Sequence, residues 1–336
     1  MKLKNKFFFG FLLLLVILSS FSSYKVFRSH QQQRKLIMDY NTKQYEFSEK
    51  LDEMEVIYPK FSVTSMNLKG LKARYLIHQN KLDAALEILE TVDYDPLSTV
   101  ELYKAQIYYE KNEGAEFYNS AKKAFVGLPL NEGHLLYYLK ALINFKEYDK
   151  VNEIYNDYED LNKNSMWAYF YFLTIYSNKD FFKGKIEAQA KKALNKYGNM
   201  SNSESLKIIL YYILYGESNF KKSIENFEIA NELFRKEKYN EASLLYEQSR
   251  ALFPLNVDYY YNDMVVQFKK KNHDKVLSIF TEINDSINPK KGKLEFLVGK
   301  SYLEVKDTIN ACKFFKISGG MNFLKSKQYL KNICIN

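Results

Sequence analysis

The sequence predicts an all-α fold built as an array of stacked antiparallel helix pairs, and three observations predict it. Small or apolar residues marking one face of a first helix recur at Ala73, Ala105 and Leu139, 32 and 34 residues apart, and again at Ala230, Met264 and Gly299, 34 and 35 residues apart. A fixed period of this length is the mark of a repeat whose units bury their apolar faces only against their neighbours. Second-helix triplets follow in step: Ala85, Leu89, Val92; Phe117, Ala121, Ala124; Val151, Tyr155, Tyr158; Ala242, Tyr246, Ser249; Val276, Phe280, Ile283; and Ala311, Phe315, Ser318. Each has the i, i+4, i+7 spacing of one helical stripe, with small residues where helices approach and an aromatic filling the gap between pairs. Pro96, Pro129, Pro254 and Pro289 then stop a helix or open the next unit.

The chain begins with a segment of different character, residues 1–28. Phe7 to Tyr24 are 18 consecutive uncharged positions preceded by Lys2, Lys4 and Lys6. As a helix this stretch spans about 27 Å, close to the hydrocarbon thickness of a bilayer, with Lys25 placed to snorkel toward headgroups. The competing reading is a cleaved secretory signal, with Phe7 to Leu18 as its apolar core and Ser20 and Ser22 at a cleavage site. The first 35 residues hold no Ala, which weakens the cleavage reading. Both readings send the bulk of the chain to the export machinery. The short basic arm favours an N-terminus kept inside, although Lys25, Arg28, Arg34 and Lys35 nearly balance it. No cysteine lies near the apolar run, so an N-terminal lipid anchor of the bacterial lipoprotein type is excluded.

Residues 29–60 are polar and charged and read as a helical stalk. Two arrays follow, residues 61–198 and residues 199–336. The interval from Leu139 to Ala230, 91 residues, is not a whole number of repeats, so the phase slips there. Ser165 to Ser177 and Gly184 to Tyr197 form one degenerate pair, with Ile186, Ala190 and Ala193 as its stripe, followed by an extra helix near Glu204 to Tyr215. The polar stretch from Gly198 to Ser205 marks the boundary between two helical lobes. A terminal helix from about Met321 to Asn332 caps the array. Cys312 and Cys334 are the two thiols of the chain. Two buried free cysteines are the favoured reading; the alternative, in an exported body, is a disulfide that pins the cap.

The net charge of +9 does not describe one surface. Seven of the 49 basic residues precede Asp39, and from residue 36 onward 42 basic residues face 40 acidic ones with the signs interspersed. Phosphate recognition needs a one-sign face, so no nucleic acid partner is expected. The four histidines, His30, His78, His134 and His273, lie far from one another and read as helix-surface or turn residues, and no metal or other cofactor is expected. The chain has 12 glycines; their one adjacent pair, Gly319 and Gly320, falls where a helix C-cap is expected, and no phosphate-cradling or nucleophile motif occurs. Acidic pairs such as Glu53 with Glu55 lack an acid-base neighbour. The 29 Tyr and 25 Phe sit mostly at packing positions. No enzyme activity is expected.

The pattern of small, aromatic and small residues over about 34 positions resembles the tetratricopeptide repeat family across most of residues 61 to 318. The Trp that some members carry early in the first helix is missing, and the glycine of the inter-helix turn is replaced by Asn80, Asn112, Lys146 or Glu237, departures that imply looser helix ends. The stretch from Ala121 to Pro129 and the ending from Ala311 to Cys334 are also similar to envelope tetratricopeptide proteins of Gram-negative bacteria, including repeat tails of O-antigen ligase-like proteins. The resemblance implies a concave groove lined by the first helices. Its candidate residues lie one and five positions beyond each inner small residue: Arg74 and His78, Gln106 and Glu110, Lys140 and Asn144, Asn231 and Arg235, Val265 and Lys269, Lys300 and Glu304. Asn231 with Arg235 is similar to part of the family's clamp for peptide carboxylates, with no further lysine to complete it. The expected function is a single-pass inner-membrane scaffold, held through residues 7–24 with its bulk in the periplasm, that binds a protein or peptide partner in the cell envelope. The alternatives are a chain secreted after signal cleavage and an accessory factor in surface-polysaccharide assembly or glycan binding.

Overall fold

The structure, a computed structural model, describes residues 2–42, 67–182, 186–283 and 292–334. Its first unit carries α1 (Lys2–Thr42), α2 (Leu68–His78), α3 (Leu82–Glu90), α4 (Thr99–Glu110), α5 (Gly114–Gly127), α6 (Glu132–Asn144), α7 (Tyr148–Tyr158) and α8 (Ser165–Ser177). The division between the two compact units passes through α9 (Ile186–Tyr197). The second unit carries most of α10 (Glu204–Tyr215), then α11 (Glu217–Arg235), α12 (Tyr239–Leu252), α13 (Val257–Lys269), α14 (His273–Thr281), α15 (Lys293–Glu304), α16 (Thr308–Gly320) and α17 (Leu324–Ile333). No strand occurs among the described residues. The described residues form an all-α array of tetratricopeptide-like helix pairs in two lobes, with an apolar helix preceding the first pair in sequence and a capping helix following the last.

Local sequence starts and closes these helices in a repeated way. Asn67, Asn131, Asn164 and Asn256 sit extended before α2, α6, α8 and α13, and each side chain accepts a backbone N–H of the first turn. Such a cap stabilises a helix by about 1 kcal/mol. At the turn inside each regular pair one residue adopts a left-handed backbone: Asn80, Asn112, Lys146, Glu237, Lys271 and Lys306 have φ between 58° and 64°. The next N–H then reaches back five residues, as Lys81 N to Leu76 O at 2.8 Å, Glu147 N to Leu142 O at 2.8 Å and Asp307 N to Tyr302 O at 2.9 Å. This double closure satisfies carbonyls that the helix end would otherwise leave bare. The turns lacking glycine are therefore not loose; they keep the closed geometry and accept left-handed strain, which costs a non-glycine residue about 1 kcal/mol. The α8–α9 connection differs. Asn178 ends α8 at φ −121° and a single 3-10 turn, Lys179–Phe181, follows.

The stripes read from the sequence are the helix interfaces. Ala73, Ala105, Leu139, Ala230 and Met264 are completely buried, as are Ala85, Ala121, Ala124, Val151, Ala242, Tyr246, Val276, Ala311 and Phe315. Within each regular pair the first helix packs on the second, and second helices pack on the next first helix, as α5 on α6, α12 on α13 and α14 on α15. Gly299 is dictated by closeness, since a Cβ there would stand 2.7 Å from the Phe315 ring. In the degenerate pair Ile186, Ala190 and Ala193 are buried as well. Trp167, early in α8, is fully buried and donates its indole N–H to Pro129 O at 2.9 Å. At the start of the second unit Tyr211, Tyr215 and Phe220 close around Phe253 with ring centroids 4.6 to 5.4 Å apart.

Further expectations change. The polar segment after the apolar run is not a free stalk as far as it is described. α1 runs without a break to Thr42, its residues Ser29, Gln33, Leu36 and Asp39 form one buried stripe, and the Tyr75 hydroxyl of α2 lies 2.7 Å from Leu36 O and 2.8 Å from Asp39 Oδ2. Residues 43–60 of the expected stalk, and Pro289, lie outside the described residues. His134 is buried, not on a surface: its ring bonds to the Asn131 cap and to Leu97 O at 3.0 Å, and burial lowers its pKa. Gly319 and Gly320 end α16 instead of capping it; the left-handed position falls on Asn322. The capping helix starts at Leu324 rather than Met321. Cys312 and Cys334 are joined in a disulfide with Cα atoms 5.6 Å apart, which ties the end of α17 to α16.

Candidate protein-binding groove

The inner face of each unit is formed by its first helices, with α2 beside α4, α4 beside α6, and α13 beside α15. On this row the twelve candidate positions fall in one register. The residue one beyond each inner small residue, Arg74, Gln106, Lys140, Asn231, Val265 or Lys300, is half-buried. The residue five beyond it, His78, Glu110, Asn144, Arg235, Lys269 or Glu304, is exposed. Helical geometry explains the alternation, because positions four apart stack along one face while the first of them is wedged between neighbouring helices.

In the first unit Arg74, His78, Gln106 and Glu110 come together around a recess of about 280 Å³ that also includes Ile77 and Leu82. Beyond it the Lys140 ammonium lies over two rings, 4.8 Å from the Tyr109 centroid and 5.1 Å from that of Tyr137. The second unit repeats the first of these contacts and adds one from a different lysine. Lys300 lies 4.6 Å from the Phe268 centroid, and Lys293 lies 3.5 Å from that of Tyr261. Tyr109 and Phe268 each stand four residues beyond the inner small residue of the preceding first helix, so the two lysine–ring contacts are equivalent in register. A ring face attracts an ammonium and restrains its long stem, so the charge is presented from a fixed place.

Asn231 does not serve as an open clamp residue. Its side-chain oxygen accepts from the Tyr246 hydroxyl at 2.8 Å and from Asn262 Nδ2 at 2.9 Å, and Arg235 Nε bonds to its carbonyl. Burial pushes the Tyr246 phenol up to about 12, so it remains a neutral donor to this amide. Lys269 and Asn144 are placed on the row without joining a recess. The rings under the lysines were missed by the sequence reading, which counted aromatics as core; the signal available was the recurrence of Tyr109 and Phe268 at the same repeat position. Among the described residues no cluster of His, Cys, Asp and Glu has the grouping of a metal site.

This register defines the class of molecule as a tetratricopeptide-like helix-pair array with a graded polar row along its first helices. No protein-family model and no curated protein matches the chain. Among solved structures it is similar to a tetratricopeptide repeat protein from Parabacteroides merdae, at 17% identity over 77% of this chain and 95% of that one, with a TM-score of 0.33. It is also similar to the TPR2AB domain of yeast Sti1 in its pHSP90 complex, at 14% identity over 70% of this chain and 95% of that one, TM-score 0.31. A third is the P58(IPK) TPR domain, at 14% identity, 79% of each chain and TM-score 0.35. These likenesses assign no partner, and the helix-pair architecture stands on the geometry above.

Proposed function

We propose that the chain is a membrane-anchored scaffold that binds a protein or peptide partner along the row of first helices and catalyses nothing. The observation that carries the reading is the common register of the six pairs, half-buried at one position and exposed four residues later, with Lys140 and Lys300 held over rings. Stacked helices keep these groups in place before a partner arrives, so binding does not have to order the receptor. The apolar part of α1 supports the anchor: it has mean hydropathy 2.0 and is wholly exposed, including Phe7, Leu13 and Ile17. The disulfide supports an oxidising compartment such as the periplasm for the bulk of the chain. A place beside surface-polysaccharide assembly, suggested by the likeness to O-antigen ligase-like repeat tails, is the finer alternative.

Photo-crosslinking amino acids placed singly at Gln106, Lys140, Val265 and Lys300, and for comparison at Lys123 and Glu247 on second helices, test the proposal in cells. One defined protein should be captured from the first-helix positions and not from the others. Capture of nothing from any position, joined with thermal shifts on adding oligosaccharide, would turn the reading to glycan binding.

A further inference from the structure

Charges intersperse along most of the array, but not at its C-terminal cap. Between Asp307 and Asn336 there are five lysines, Lys313, Lys316, Lys325, Lys327 and Lys331, and no acidic residue. All five are exposed and none joins an ion pair among the described residues. The face is also fixed. Ser326 is buried, with its hydroxyl 2.6 Å from Ser318 Oγ; Tyr329 packs 4.9 Å from the Phe315 ring; and the disulfide holds the end of α17. With that side turned inward, Leu324, Lys327 and Lys331, spaced i, i+3, i+7, share the outward side, and Leu324 is 76% exposed.

We infer that this lysine face with its projecting leucine is a docking surface for an anionic phospholipid bilayer. The composition is that of an interfacial contact, in which ammonium groups meet lipid phosphates while a lone apolar side chain enters the headgroup boundary. The inference leans on the proposed anchor, because the exposed apolar stretch of α1 is what brings this chain to a bilayer. Once anchored, the cap meets the lipid at high effective concentration, so a contact too weak to recruit a free protein still forms.

Mass-spectrometric lysine acetylation of the full chain, in membrane discs of zwitterionic lipid and in discs of anionic phosphatidylglycerol, decides the matter. Labelling of Lys325, Lys327 and Lys331 should slow roughly fivefold in the anionic discs, and the slowing should vanish in high salt. Lys222 and Lys236, exposed elsewhere in the second unit, should label alike in both. In a Lys327→Gln/Lys331→Gln chain, Lys325 should regain the zwitterionic rate. Equal labelling in the two lipids, or slowing that salt leaves unchanged, overturns the inference. Slowing that appears only when an acidic protein is added to zwitterionic discs overturns it in favour of that protein. Failure of the chain to enter discs sinks the anchor instead, and the same labelling beside anionic vesicles then still decides the docking face.

Discussion

The same place in the two units is filled by opposite chemistry. In the first unit Phe125, one residue beyond the third stripe position of α5, stacks on Tyr138, one residue before the inner Leu139 of α6, with centroids 5.0 Å apart. In the second unit the residues at those two repeat positions are Arg250 of α12 and Asp263 of α13, paired at 2.6 Å with side chains 7% and 1% exposed. Ser243 donates to Asp263 Oδ1 at 2.8 Å, and Gln267 donates to Ser243 and Asp263. Both solutions fill a gap between a second helix and the next first helix. The period therefore fixes where an interface needs bulk and leaves open how that bulk is chosen. The two differ in what happens when they are broken, because an apolar stack tolerates replacement by similar volume whereas half of a buried ion pair is worse than none.

Removing one partner gives the largest expected effect. Asp263→Ala leaves the Arg250 charge buried without compensation and should lower stability by about 3–5 kcal/mol, measured by thermal and urea unfolding in mild detergent. A loss below that of an ordinary surface substitution would show that water reaches the pair. Next, importing the stack through Arg250→Phe/Asp263→Tyr should leave stability within about 1.5 kcal/mol of the parent or raise it, since Ser243 and Gln267 still bond to each other. A loss as deep as that of Asp263→Ala would mean the second unit cannot accept the aromatic solution, and the equivalence would fail.

Smaller effects probe what the units share. Glu237→Gly, Lys271→Gly and Lys306→Gly should each stabilise by roughly 0.5–1 kcal/mol, because glycine takes the left-handed conformation without strain. Asn178→Gly at the aberrant α8–α9 turn should give no gain, as its φ is negative and its side chain bonds to Thr174 O at 2.9 Å. Equal gains at all four sites would contradict the distinction drawn between regular and degenerate turns. The smallest effect is a pH dependence confined to the first unit. His134 stands three residues beyond its Asn cap, where the second unit has Tyr259. Burial lowers the His134 pKa, so below about 6.5 the unfolded chain takes up more protons and stability falls with falling pH. His134→Gln should flatten that slope; an unchanged slope would assign it to other groups.

Much of the fold was legible because burial follows simple geometry. A residue such as Ala105 or Tyr246 repeats at a spacing that only one helical face satisfies, so its place inside could be read without coordinates. Turn closure was half legible: the positions of Asn80, Lys146 and Glu237 were clear, but side-chain preference suggested loose ends, and the backbone hydrogen bonds overrode it. The candidate groove was legible as a register and not as chemistry. Nothing in the local sequence of Asn231 told that Tyr246 and Asn262 would occupy its oxygen, nor that Lys140 would rest on Tyr109, 31 residues earlier.

By itself the sequence determined the helix pairs, their period and the apolar first helix, since each of these is a pattern along the chain that local geometry converts directly into structure. Tertiary structure decided the Phe125–Tyr138 stack against the Arg250–Asp263 pair, the docking of Leu36 and Asp39 on Tyr75, and the Cys312–Cys334 bond. The reason is physical. These features join side chains from different helices, and which of them touch depends on how closely and at what rotation the helices pack, quantities that no single segment encodes.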